Sequence, residues 1–214
     1  MKKADLNKAL VDMLDPIIVP FGFKKQKGGD GLIFRRNTGF GFNDISLLIW
    51  LYGDVSYVSL AYSIRIDQLN KIFIPYGEYV IHEKDETITL GVDIQTLGYQ
   101  GDHKIKVESE EDLTNALQAL QKITIEKGLS FFDQFTSVES IDRELNRENR
   151  PKNLYCNEIR HRPFLGITAA ALNNNQNFSY WENLYREKLK NDIPQAKEKY
   201  EALVKHLKEN VLKK

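Results

Sequence analysis

The stretch Asp44–Asp67 reads DISLLIWLY, then Gly53-Asp54, then VSYVSLAYSIRID: two long apolar-rich runs around a two-residue turn signal. In the second run Val58, Leu60, Tyr62, Ile64 and Ile66 occupy alternate positions, the period of a strand whose two faces see different surroundings. In the first run Leu47 to Leu51 leave no polar face, which predicts a strand covered on both sides. Gly-Asp supplies the positive φ of a tight hairpin turn. A central β-hairpin is therefore the element around which the chain is organised.

Upstream, Leu6, Leu10, Met13, Leu14 and Ile17 lie at helical spacing and predict an amphipathic helix that Asp15-Pro16 ends or kinks. After Gly22, FKKQK and LIFRRN flank Gly28–Gly31 and predict a first hairpin. Downstream, Asp67 is placed to cap a short helix with Leu69, Ile72 and Phe73 on one face. Ile88 to Ile94 alternate as a half-buried strand, and Lys104 to Val107 fit a short edge strand whose lysines discourage edge-to-edge pairing.

From Ser109 the period becomes helical. Ser109 with Asp112, Thr136 with Glu139 and Ser179 with Glu182 are the spacings of capping boxes. Gly128 is expected to interrupt or end the first of these helices before LSFFDQF. Arg147 to Asn157, with Pro151, reads as a linker. The division expected is a mixed domain 1–146, a linker 147–157 and a helical subdomain 158–214, each helix of which has one stripe to bury. The fold class is α+β: an antiparallel sheet from about residue 22 to about 108, flanked by helices, with a helical C-terminal part.

Composition narrows the function classes. Thirty basic residues balance thirty acidic ones, so the chain has no general attraction to phosphate backbones. Cys156 is the only cysteine, so neither an intramolecular disulfide nor a thiolate zinc cluster can form. Asp5, Lys8 and Asp12 interrupt any secretory apolar segment, and no run approaches the roughly 20 residues of a membrane span. A cytoplasmic, membrane-free protein is the simplest expectation.

The search for chemistry yields few candidates. His82, His103, His161 and His206 show no ligand spacing, so no metal and no cofactor is expected. Gly28-Gly29-Asp30-Gly31 lacks the Gly-Lys-Ser/Thr of a phosphate loop and reads as a turn. No catalytic residue is assigned; His82, His161, Asp93 and Glu158 are the first to test for a small hydrolase or transferase with a spatially assembled site. The basic residues Lys24, Lys25, Lys27, Arg35 and Arg36 are placed to meet across the first hairpin. Among them Lys24, Lys25, Arg35 and Arg36 form the candidate binding surface, the only route to a nucleic-acid function. The alternative for these charges is a solvated face that keeps an edge hairpin from aggregating. Trp50, Phe131, Phe132 and Trp181 read as core or interface aromatics.

The order of segments resembles a loose group of uncharacterised bacterial domain-of-unknown-function proteins. The likeness rests on an N-terminal helix followed by Gly22-Phe23-Lys24-Lys25, then Phe34-Arg35, an apolar hairpin, Phe131-Phe132-Asp133 and a capped helix from Thr136 to Leu145. It covers residues 3–146 and carries over no catalytic residue. It implies a small α+β bacterial protein of unassigned function, some relatives of which look like accessory or immunity proteins beside toxin genes. Together with the missing motifs it favours a non-catalytic protein-binding module, with another protein as partner and the oligomeric state open.

Overall fold

The structure is a computed structural model that describes residues 2–28, 31–77, 87–147 and 161–212. It is α+β. Six strands, β1 (Lys24–Gly28), β2 (Gly31–Thr38), β3 (Gly41–Tyr52), β4 (Val55–Ile66), β5 (Leu90–Asp93) and β6 (Ile105–Val107), form one antiparallel sheet. Its order is β1-β2-β3-β4-β5, with β6 also paired to β4. The eight helices among the described residues are α1 (Lys3–Ile18), α2 (Asp67–Phe73), α3 (Glu110–Ile123), α4 (Leu129–Gln134), α5 (Val138–Leu145), α6 (His161–Leu172), α7 (Phe178–Lys188) and α8 (Pro194–Asn210).

The central hairpin is β3 and β4 around Gly53-Asp54, with Gly53 at φ 61°, a conformation that a Cβ disfavours. Covering of β3 is uneven, contrary to the expectation of burial on both faces. Phe42 to Ile45 are buried, Leu48 to Trp50 are half-buried, and Leu51 and Tyr52 are exposed. On its β2 side the ladder stops at Leu47, and β3 runs on to Tyr52 beside β4.

By their contacts the residues fall into two compact units, Met1–Ile64 with Gly91–Gln134, and Arg65–Leu90 with Phe135–Lys214. The segment 147–157, read from sequence as a linker, lies outside the described residues apart from Arg147.

In the first unit α1 packs on β3 and on α3, and α3 packs on β6. Leu6, Leu10, Leu14 and Ile18 of α1 are buried with Phe34, Ile45, Leu47, Val58 and Leu60 of the strands. Pro16 neither ends nor breaks α1, which continues to Ile18. Burial of Leu14 and Ile18 holds that last turn, and a 3₁₀ turn Val19–Phe21 and left-handed Gly22 then release the chain. Gly128 likewise does not end the helix begun at Glu110. A π turn, Thr124–Gly128, leads directly into α4, and the glycine is required by contact: a Cβ there would clash with the edge of the Tyr62 ring.

In the second unit α6 is the hub, packing against α2, α5, α7 and α8. It departs from the one-stripe expectation, because every residue from Arg162 to Ala171 is buried. Gly166 and Ala169 to Ala171 let its neighbours approach from all sides, and a Cβ at Gly166 would collide with the Tyr185 hydroxyl.

The caps split by locality. Ser109 and Asp112 form the expected capping box. The second box is Ser137 with Ser140, one residue beyond Thr136 and Glu139. At α7 no side-chain cap forms and Ser179 lies inside the helix; Glu182 faces Arg186 and Lys208 instead. Asp67 is the first residue of α2 rather than its cap, and its carboxylate accepts from Arg65 Nε at 2.7 Å.

Candidate functional site

The register of the first hairpin separates the four basic residues proposed from sequence. Lys24 stands opposite Arg35, and Arg35 opposite Asp44, so these three form a row on one face of the sheet. Lys25 stands opposite Phe34, and Phe34 opposite Ile45, both fully buried, so Lys25 shares the other face of the sheet with Arg36, two residues on from Phe34. Arg36, next in sequence to Arg35, turns to the helix-covered face.

Both arginines are engaged. Arg35 Nε and Nη2 donate to the two oxygens of Asp44 at 2.8 and 2.7 Å, a two-pronged pair, and its guanidinium lies 3.6 Å from the Phe42 ring centroid. Arg36 lies 4.9 Å from the Phe23 centroid and 5.7 Å from that of Phe132. Its Nη2 donates over 2.8 Å to the Asn43 side-chain oxygen, with the amide oriented to suit. Lys24 and Lys25 are exposed.

The same parity that carries Arg35 and Asp44 continues along β3 as Ser46, Leu48, Trp50 and Tyr52. At the hairpin end this face becomes aromatic. Tyr52 meets Tyr57 edge-on with centroids 5.8 Å apart, and Lys104 Nζ sits 4.6 Å from the Trp50 ring centroid. Leu51 and Tyr52 are 47% and 58% exposed. From Ile45 to Tyr52 there is no charged residue. The result is an exposed apolar and aromatic projection on a strand pair, with one ammonium group beside it.

No family model, curated protein or solved structure matches the chain.

The residues singled out for acid–base chemistry are placed as follows. His82 and Glu158 lie outside the described residues. Asp93 Oδ1 accepts from the Thr96 amide at 2.7 Å and so closes the turn after β5. His161 opens α6 half-buried; burial holds its pKa below the usual histidine range, and its Nε2 has no hydrogen-bond partner among the described residues. Among the described residues no group of three or more His, Cys, Asp or Glu stands within metal-holding reach.

Two further polar constellations occur in the second unit. Buried Asp142 accepts from Asn146 Nδ2 at 2.6 Å, from Asn173 Nδ2 at 2.7 Å and from Asn175 Nδ2 at 2.9 Å. Buried Arg162 donates from Nε and Nη2 to the Leu145 carbonyl at the end of α5. These bonds close helix ends. A cleft of about 280 Å³ is lined by Arg186, Glu187, Leu189, Lys190, Lys197, Tyr200 and Glu201. Its charges are largely paired with one another, Arg186 with Glu201 and Lys190 with Glu187.

The aromatic projection was hidden in the sequence because an uninterrupted apolar run reads as core. The usable signal was the mismatch in run lengths: the segment before the Asn37-Thr38-Gly39 turn is too short to cover all of Asp44–Tyr52.

Proposed function

We propose that this chain is a non-catalytic, cytoplasmic protein-binding module that engages its partner through the aromatic end of β3 and β4. The observation that carries the reading is the exposure of Leu51 and Tyr52 beside Trp50 and Tyr57, on a segment without charge between Asp44 and Asp54. Large exposed apolar side chains grouped together mark interaction sites, and tryptophan and tyrosine supply the dominant anchors of such interfaces. The resemblance in residues 3–146 supports a bacterial, immunity-like role in which the partner is a toxin or effector.

A photoreactive phenylalanine in place of Tyr52, with a second at exposed Tyr180 of α7 as control, tests the proposal in cells that make the protein natively. The expected result is one protein adduct, identified by mass spectrometry, from position 52 and none from position 180. Purified, that partner should bind the Tyr52→Ala variant about 30-fold more weakly, the size of a typical anchor residue at about 2 kcal/mol. No adduct at position 52, or the same adduct from both positions, overturns the proposal.

A further inference from the structure

We infer that the partner is held by strand addition: an extended apolar segment of it pairs with the open flank of β3 at Ile49–Tyr52. The inference rests on the reading of this end of the sheet as the docking site and specifies its mode. The ladder between β2 and β3 runs from Thr38 opposite Gly41 to Leu32 opposite Leu47, and β2 begins at Gly31. β3 continues to Tyr52, with β4 on its other flank. Among the described residues no strand lies beside Ile49–Tyr52 on the β2 side. Strand bonding groups alternate in direction, so every second residue of this segment turns its N–H and C=O to the open flank.

Two other edges of the sheet, β1 and β6, are built differently. β1 carries Lys24 and Lys25 in its paired register, and β6 carries Lys106 with Lys104 just before it. Charges of this kind blunt an edge against pairing. The open end of β3 has none, and its side chains alternate between the Trp50–Tyr52 face and the Ile49–Leu51 face, so that a strand laid beside it meets apolar groups on both sides. Lys106, opposite Tyr57, is paired with Glu108 at 2.7 Å, whereas the Lys104 ammonium over Trp50 has no ion pair among the described residues. The occupant is accordingly an extended segment of alternating apolar residues with a carboxylate on the side that faces Trp50.

The test uses the full chain and a displayed library of random 12-residue peptides. Peptides whose binding Tyr52→Ala weakens are resynthesised with single N-methyl groups at each position in turn. Strand addition predicts that methylation at alternate positions lowers affinity at least tenfold while the intervening positions stay within twofold, and that Leu51→Lys abolishes binding. Affinity indifferent to the methyl groups overturns strand addition while leaving side-chain docking at the same end intact. A library with no peptide sensitive to Tyr52→Ala also overturns it, and the cross-link from position 52 then decides the binding reading separately.

Discussion

Tyr62 shows how much one side chain settles within the first unit. Thr124 Oγ1 donates its only proton to the Leu120 carbonyl at 2.7 Å, so the Tyr62 hydroxyl, 2.7 Å away, must be the donor in their bond. Its ring packs on Phe132 with centroids 6.1 Å apart and fills the space that Gly128 leaves open. Burial outweighs the hydrogen bond and pushes the phenol far above its ordinary value near 10. The folded pKa is raised, so the stabilising effect is complete below the unfolded pKa of about 10 and is lost as pH rises above it. Tyr62→Phe should cost about 1 kcal/mol at neutral pH. It should also remove up to about 1.4 kcal/mol per pH unit from the alkaline decline. Urea melts of both proteins at neutral and alkaline pH check this, and parallel declines would refute it. Sequence periodicity placed Tyr62 on the core face of a strand. It gave no sign of Thr124, because that contact joins residues 62 positions apart. The same boundary explains the caps: Ser109 finds Asp112 locally, whereas Glu182 accepts from Lys208, 26 residues on.

Among the elements, α5 and α6 are joined by polar bonds as much as by apolar packing. Asp142 gathers three asparagine amides, and Asn146 also donates to the Gly166 carbonyl at 2.8 Å while its own oxygen lies 2.5 Å from the Tyr185 hydroxyl. Removing the carboxylate takes one acceptor from the buried Asn146 amide and the acceptor of half-buried Asn175 and exposed Asn173, so Asp142→Ala should destabilise the protein by about 2 kcal/mol. Chemical denaturation measures it, and a loss below about 1 kcal/mol would show that water or a shifted amide replaces the carboxylate. The strand and helix periods made most elements legible, including both hairpins and the helices after Ser109. What they concealed was the environment of each element. Residues 162–171 are buried on every side and residues 51–52 on none, and this depends on which neighbours end where.

At the scale of the whole chain, the order of elements in sequence and their grouping by contact differ. Read in order, the chain divides after residue 146; by contact, Arg65–Leu90 groups with Phe135–Lys214. The cause is α2, which packs on α6, a helix nearly a hundred residues later with no local signal to announce it. A chain ended at residue 146 keeps every residue of the first unit and loses α6, α7 and α8. In that fragment the amides of β2 and β3 should remain protected from hydrogen exchange, while those of α2 and α5 exchange at nearly unprotected rates. Protection of α5 equal to that in the full chain would show that residues 1–146 are self-sufficient. The dependence of α2 on α6 also has a cost in time. At synthesis rates of roughly 5–20 residues per second, α2 leaves the ribosome on the order of 5–20 s before α6 exists to receive it. Through that interval Leu69 and Phe73 stand bare on the nascent chain, and it is then, rather than in the finished molecule, that this segment is most open to capture by chaperones or by other chains.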